Sequence, residues 1–482
     1  MILKNNFILF AFVLLSCILV SCHQDQPVKP NIIFIIADDQ SFNTIHDHGN
    51  YEINTPNLDR LAAQGVTFTH AFNMGAWHGA VCIASRTMIN TGKFLWRAEK
   101  IDRDPEQMAD QEMLWSQIMQ RAGYDTYFSG KWHVNIKPER IFNHVVHVRP
   151  GMPGTVPEAY NRPHEGQTDD WSPSDTTIGG YWAGGKHWSE VLADDAIRFI
   201  DSASKSHMPF FMYLAFNAPH DPRQSPREYI DMYPLEKISI PESFMPDYPF
   251  KDYIGCDEKL RDERLAPFPR TEYSVKVHRQ EYYAIITHMD AQLGRILNAI
   301  EKSGVAKTTY IFFTADHGLA CGNHGLFGKQ NMYDHSLRPP LLVSGPDIPA
   351  NKKLDMNVYL QDIMATAIEL SGLEKPEHVE FNSLMPYIKG KTDKSAYSSM
   401  YGAYMNLQRM IRDDHYKLIV YPYAEKFLLY DIINDPLEMI DLSEDPSKQN
   451  IILDMYTRLE LLSGQMGDTL LLRNFFPNLV SL

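Results

Sequence analysis

Four metal-seeking side chains stand in two adjacent pairs, Asp38-Asp39 and Asp316-His317, each directly behind an apolar run that reads as a β-strand. Neighbouring carboxylates repel unless a cation joins them, and hard oxygen donors suit Ca²⁺ or Mg²⁺. One Asp-Asp after a strand is an ordinary turn or helix cap; two such pairs in the same situation make a metal site. Two histidines occupy similar strand exits, in Gly130-Lys131-Trp132-His133 and Asn217-Ala218-Pro219-His220, both flanked by turn formers. The loop Gly325-Leu326-Phe327-Gly328-Lys329 presents one lysine beside glycine hinges, and the run Gly79-Ala80-Val81-Cys82-Ile83-Ala84-Ser85-Arg86 carries one thiol. Taken singly, each has a plain reading: a hydrogen-bonded histidine, a solvated lysine, a small buried thiol beside a helix N-terminus. Taken together they describe a hard-cation site ringed by basic groups.

The chain around them is globular. Its 482 residues are 44% hydrophobic and 22% charged, enough for one large domain and a smaller one, and not the composition of a disordered chain. A net charge of -15 argues against nucleic acid or an anionic membrane as partner, so an anionic substrate must find a local positive site. Lys4, the apolar run 7–20 and Leu19-Val20-Ser21-Cys22 read as an export signal. The roughly 14 apolar residues are too few for the ~20 of a membrane span. The ending resembles the lipobox of bacterial lipoproteins, which implies cleavage after residue 21, a lipid anchor on Cys22, a tether over 22–30, and a periplasmic or outer-membrane-anchored place in a Gram-negative cell; ordinary secretion is the alternative. Cys256 and Cys321 then remain beside Cys82, with their pairing open.

Apolar strands alternate with helical patterns, which predicts a largely parallel sheet covered by helices on both faces. The run 31–37 (NIIFIIA) is continuously apolar, as a strand buried on both sides must be. Thr55-Pro56 opens a helix that Gly65 ends. Further strands are expected at 124–128, 209–216, 308–314 and 340–343, and helices at 108–122, 189–204, 279–303 and 361–371. Two irregular stretches, 136–186 and 221–269, are long enough to wall a pocket. After Gly372 short strands at 397–405, 409–412, 417–421 and 427–431 and a helix at 448–462 predict a small α+β subdomain. The catalytic domain is expected over 31–375 and the subdomain over 376–482. In open α/β sheets ligands gather beyond the carboxyl ends of the strands, where the two acidic pairs stand.

In order along the chain, Asn31-Ile32-Ile33-Phe34-Ile35-Ile36-Ala37-Asp38-Asp39, Cys82-Ile83-Ala84-Ser85-Arg86, Gly130-Lys131-Trp132-His133, Ala218-Pro219-His220, Thr314-Ala315-Asp316-His317-Gly318 and 325–329 resemble the motifs of the type I sulfatases, of the alkaline-phosphatase-like superfamily. The resemblance spans nearly everything after the signal. It implies a large mostly parallel sheet sandwiched by helices, with a small C-terminal subdomain carrying an antiparallel sheet. It implies that a sulfatase-maturing enzyme, a transient partner, oxidises Cys82 to formylglycine. Asp38, Asp39, Asp316 and His317 would bind one Ca²⁺, the modified Cys82 and a sulfate oxygen completing the shell. Arg86 would hold the hydrated aldehyde, and Lys131, His133, His220 and Lys329 would surround sulfate and leaving group. One hydroxyl of the hydrate would attack sulfur, His220 or Lys329 would protonate the leaving alcohol, and His133 would assist release of sulfate. The family's commoner pentapeptide has Pro where Ala84 stands, which points to an anaerobic radical-type maturation system, and many relatives have Asn in place of His317.

Arg261-Asp262-Glu263, Leu265-Ala266-Pro267-Phe268-Pro269-Arg270-Thr271 and the block from Tyr282 to Asp290 resemble carbohydrate sulfatases of Bacteroidetes. The block His220-Asp221-Pro222-Arg223-Gln224-Ser225 resembles members that act on 4-O-sulfated galactose or N-acetylgalactosamine. Asp221 and Arg223 would then fix sugar hydroxyls, or simply make a loop salt bridge, with Trp77 and His78 lining the same pocket. Trp171, Trp182 and Trp188 either stack a sugar or pack the long loop. Long walls around a strand-end site favour exo action. The rival readings are a formylglycine-dependent phosphodiesterase or phosphonate monoester hydrolase, and a non-catalytic lipoprotein that binds sulfated glycan.

Overall fold

Seven residues, Asn31–Ala37 (β1), run through the middle of the molecule with every side chain buried. Successive side chains of a strand point to opposite faces, and β1 obeys this: Ile32, Phe34 and Ile36 enter one apolar cluster, and Ile33, Ile35 and Ala37 another. The computed structural model describes residues 29–477, so the export signal, Cys22 and most of the tether lie outside the described residues. Among the described residues no helix is long and apolar enough to cross a membrane.

The remaining strands are Gly65–Phe72 (β2), Gly75–Ala76 (β3), Asp125–Lys131 (β4), His144–Arg149 (β5), Phe210–Ala215 (β6), Thr309–Ala315 (β7), Leu341–Ser344 (β8) and Lys352–Tyr359 (β9). With β1, all of these but β3 form one eight-stranded sheet in the order β5-β4-β6-β1-β7-β8-β2-β9. Only β8 runs against its neighbours, so the sheet is mostly parallel as expected. Helices Pro56–Ala63, Trp188–Ala203 and Glu272–Lys302 bury their apolar stripes on one face; Trp115–Arg121 and Asp362–Leu370 cover the other. A second sheet is built from Met400–Tyr404 (β10), Gln408–Arg412 (β11), Tyr416–Tyr421 (β12) and Lys426–Asp431 (β13), all antiparallel. β3 joins it parallel to β10, and helix Gln449–Met466 packs on it.

Several elements differ from expectation. The helix expected over 108–122 is two, Glu106–Asp110 and Trp115–Arg121, interrupted where Glu112 takes a left-handed φ of 52°. The helix expected from 279 begins at Glu272, because the Thr271 hydroxyl accepts the Ser274 N–H at 3.1 Å and caps it there. Strands β2, β3, β5 and β9 have no counterpart among the expected elements. The two residual cysteines are both buried and free: the Cys256 thiol donates to the Gln330 carbonyl at 3.2 Å, while Cys321 lies 3.8 Å from Arg223.

Candidate active site

Register brings the acidic pairs together. β1 and β7 pair residue for residue up to Ala37 and Ala315, so Asp38 and Asp316 leave neighbouring strands at the same level. The Asp316 N–H donates to the Ala37 carbonyl at 3.2 Å, and the Asp39 N–H donates to Asp316 Oδ1 at 3.2 Å. Cys82 sits in the first turn of helix Val81–Thr91. Arg86, four residues on, shares its face, which is why a Cys-x-x-x-Arg spacing delivers both to one point. Lys131 closes β4, which β6 separates from β1.

The side chains converge without exposure. The Cys82 thiol donates to Asp38 Oδ1 at 3.2 Å and approaches Asp39 Oδ1 at 3.7 Å. Lys329 donates to Asp39 Oδ1 at 2.7 Å and to the Cys82 sulfur at 3.1 Å. Lys131 is ion-paired with Asp38. Arg86 donates from Nε to Asp316 Oδ2 at 2.8 Å and from Nη1 to the Lys131 carbonyl at 2.7 Å. Each of three buried carboxylates thus meets one buried cationic side chain.

Burial pushes the Asp38 carboxyl up to about 8 against the pull of Lys131, with repulsion from Asp316 and Asp39 adding to the rise. Burial raises Asp39 to about 6, opposed chiefly by Lys329. Asp316 goes the other way: Arg86, Lys131 and Lys329 outweigh its burial and hold it well below the carboxylate range. Burial, then Asp316 and Asp38, push the Cys82 thiol well up, so among the residues present the thiol stays protonated and is not itself an activated nucleophile. Lys329 stays charged, because Asp39 and its anionic neighbours overcome desolvation.

Asp38, Asp39, Cys82 and His220 offer ligand atoms that all lie within 4.8 Å of one another. The residues fit a hard cation. Two carboxylates whose protons are tightened by burial and mutual repulsion gain from a shared positive charge, and His317 Nε2 is buried with no hydrogen-bond partner. Burial also lowers His317 to about 4, which keeps its ring neutral and able to ligate. In the side-chain arrangement present, His220 rather than His317 joins the tightest four, and Asp316 is turned toward Arg86.

The site opens into a cavity of about 480 Å³ lined by Cys82, His133, His220, Arg261, Lys329 and Gln330 among others. His133 takes a left-handed φ of 55°, and its ring lies against Gly151, where a Cβ would meet Cε1 at 2.4 Å. His133 Nδ1 has no hydrogen-bond partner. His220 Nδ1 faces the Asp221 carbonyl at 2.7 Å, so Nδ1 carries the proton and Nε2, 3.6 Å from Asp39, presents its lone pair inward.

Other expected residues are not brought to this cavity. Arg223 is 3% exposed; its guanidinium donates toward His278 Nδ1 at 3.3 Å and lies over the Tyr282 ring, facing a separate small cavity. Asp221 is ion-paired with Arg261. His78 turns its Nδ1 to the Ala80 N–H at 3.0 Å, and Trp77 lines a different cavity. Trp171 packs near the Arg162 guanidinium, Trp188 under that of Arg149, and Trp182 edge-on to His187; none of the three lines the cavity at Cys82. What residue-by-residue reading missed is Arg261, which lines the cavity between Asp221 and Asp262. An arginine set beside two acids in Arg-Asp-Glu was its only local signal.

The family model described as Sulfatase matches residues 30–373, and one described as N-sulphoglucosamine sulphohydrolase, C-terminal, matches 322–465. A sulfatase of Formosa agariphila is 31% identical, covering 89% of this chain and 87% of that protein. The N-acetylglucosamine-6-O-sulfatase of Bacteroides thetaiotaomicron is 27% identical over 94% and 91%. Among solved structures, a protein in complex with its substrate D-glucosamine-2-N,6-O-disulfate superimposes with a TM-score of 0.72 at 23% identity, covering 92% of this chain and 99% of that one. The phosphonate monoester hydrolase of Agrobacterium radiobacter gives 0.73 at 20% identity, covering 91% and 96%; at such identities the likeness is one of fold. With a matching model over most of the chain and a relative above 30% identity along nearly all of it, the chain belongs to the sulfatase family and is a sulfuric ester hydrolase.

Proposed function

We propose that the protein releases inorganic sulfate from a sulfated carbohydrate, with Cys82 converted to formylglycine and one Ca²⁺ held by Asp38, Asp39, Asp316 and His317. The observation that carries this reading is Cys82 at the floor of the cavity, 3.2 Å from Asp38 and 3.1 Å from Lys329. The modified residue would supply a hydrated aldehyde as nucleophile and the cation would neutralise charge on sulfate. Lys131 and Lys329 bring two ammonium groups to the same point and bind sulfate oxygens. Arg86 fixes Asp316 and so the cation's bed. Lys329 is the proton donor to the leaving alcohol, because it is charged and faces Cys82; His220, neutral with Nε2 free of a proton, serves as ligand or base instead. His133, with an unpartnered nitrogen, is the base at the opposite wall.

For the sugar, a guanidinium set between two carboxylates offers donors and acceptors together, as hydroxyl recognition needs. Arg261 with Asp262 fills that part at the cavity wall, and Asp221, ion-paired with Arg261 from outside the cavity, orients the guanidinium. The block 220–225 supports a 4-sulfate of galactose or N-acetylgalactosamine in host or algal glycans. A 6-sulfate of a glucosamine is a second reading, supported by what the Bacteroides thetaiotaomicron relative and the sugar-bound structure act on. Sulfate release from 4- and 6-sulfates of both hexosamines and of galactose, by protein matured beside an anaerobic maturation enzyme, distinguishes them. Turnover of the 4-sulfates alone establishes the first reading; an aryl phosphonate turned over in preference to every sulfate would overturn the sulfatase reading. Export with acylation of Cys22 belongs to the same proposal and is checked by the mass of the N-terminal peptide from the membrane fraction.

A further inference from the structure

A second cavity, of about 490 Å³, lies where the main body meets the second sheet. Its walls are Trp77 and Trp96, the turn Met405, Asn406 and Leu407, and the charged end of helix Leu95–Asp102. The construction is deliberate in three respects. β3 pairs with β10 through Ala403–Gly75 and Tyr404–Ala76, and the Met405 N–H donates to the Ala76 carbonyl at 2.8 Å. That ladder holds Trp77 beside the 405–407 turn. Gly75 makes it possible: a Cβ there would meet the Ala403 oxygen at 2.0 Å, and its φ is +88°. Trp96 is fixed as well, its Nε1 donating to the Tyr401 hydroxyl at 2.8 Å and its ring under the Arg409 guanidinium at 4.9 Å.

The cavity adjoins the catalytic one. Trp77 lines the second and Gly79 the first, and two residues of chain span at most about 7 Å. The Tyr404 hydroxyl, just before the 405–407 turn, lies 3.7 Å from where a Gly79 Cβ would stand. The charge at the rim is positive: Arg103 pairs with Glu99 at 2.6 Å, which leaves the Lys100 ammonium without a salt-bridge partner among the described residues. An aromatic wall with a basic rim suits a saccharide that carries an anionic substituent.

Resting on the carbohydrate reading above, we propose that this cavity is a binding subsite for the neighbouring sugar unit of the same glycan chain, an anionic unit whose ring stacks on Trp77 and whose sulfate or carboxylate meets Lys100 and Arg103. The enzyme then prefers an oligosaccharide end to a free monosaccharide sulfate.

The test uses Cys82→Ala protein, which binds without turning over, and calorimetry with a sulfated tetrasaccharide and the matching terminal monosaccharide sulfate. The tetrasaccharide is expected to bind at least about tenfold tighter, and the advantage is expected to vanish in Trp77→Ala and in Lys100→Glu/Arg103→Glu. The charge-reversed pair is exposed, so it separates the subsite from any misfolding of the Trp77 variant. Monosaccharide and tetrasaccharide bound alike, or an advantage that survives both variants, would overturn the subsite while leaving the carbohydrate reading intact. Matured enzyme that hydrolyses an aryl sulfate but no sulfated sugar would overturn both.

Discussion

Cys82 is the residue on which the chemistry turns, and its surroundings say why it must be altered to act. A thiol pushed well up by burial and by Asp316 and Asp38 is a poor nucleophile as it stands. Cys82→Ala is therefore expected to lower kcat at least about 10³-fold while shifting Tm by no more than about 2–4 °C; sulfate release near the parent level would remove Cys82 from the mechanism. The sugar contact teaches a different lesson. Arg223 reads as a substrate residue because it stands in the block His220–Ser225 that resembles members acting on 4-O-sulfated sugars, yet the chain turns at Pro222 and carries Arg223 inward to His278 and Tyr282. Arg261, distant in sequence, takes the place beside Asp221. A lost charged hydrogen bond of ~1.5–3 kcal/mol corresponds to about a 10- to 100-fold change. Arg261→Gln is thus expected to raise KM for the sulfated sugar by that factor and to change an aryl sulfate by less than about threefold. Equal losses on both substrates would show that Arg261 does not read the sugar. Arg223→Ala is expected to cost stability instead, measured as a lower midpoint in urea.

Strand ends were the legible part of this molecule, and edge strands were not. β1, β6, β7 and β8 announce themselves as apolar runs because they are buried on both faces, while β4 shows only the aromatic pair Tyr127-Phe128. β9, with Lys352, Lys353, Asp355 and Asn357, forms one edge of the sheet, and β5, with two histidines and an arginine, forms the other. Their polar faces mask the period, so only pairing reveals them. Gly65 hides β2 differently, since a residue that reads as a helix stop is also the first of a strand. The site's metal pairs and basic exits were legible for the same reason as the inner strands, because each follows one directly. Where a strand meets the site, the backbone leaves no slack. At Gly130, paired with Ala215, a Cβ would meet the Ala215 oxygen at 1.9 Å and φ is +103°. Gly130→Ala must therefore part β4 from β6 and move Lys131 and His133 together. The expected cost is about 3 kcal/mol or more, read from denaturant melts, with activity lost even where the variant folds; a variant as stable as the parent would mean that the strand pair yields without strain.

Across the whole molecule, titration of buried groups sets where the fold is most stable, and two populations compete. Burial lowers His48, His70 and His324 to about 4 and drives His187, His278 and His335 well below their ordinary value. The unfolded chain protonates these rings near 6.5, so between about pH 6.5 and 4 it binds more protons than the folded one. Each such ring then removes about 1.4 kcal/mol of stability per pH unit as pH falls through that window. Burial acts oppositely on Asp362 and Glu438, raised to about 7, and on Asp290, raised to about 6. There the folded chain binds the extra protons above about pH 4, and stability is lost as pH rises toward the folded value. The histidines outnumber these carboxylates below 6.5, and Asp362 and Glu438 alone of them still titrate above it. Stability is expected to climb from pH 4.5 to about 6.5 and to slacken from there to 8, where Asp38 and Asp39 add their own mutual repulsion. A divalent cation that bridges the pair removes that repulsion and binds only the folded state, which at about 100 Kd contributes about 2.7 kcal/mol. Guanidinium melts at pH 4.5, 6.5 and 8, with EGTA and with Ca²⁺, should therefore show the midpoint highest near 6.5 with EGTA and the largest gain from Ca²⁺ at pH 8. Equal midpoints at 4.5 and 6.5 would refute the histidine account, and a midpoint at pH 8 indifferent to Ca²⁺ would refute the shared cation between Asp38 and Asp39.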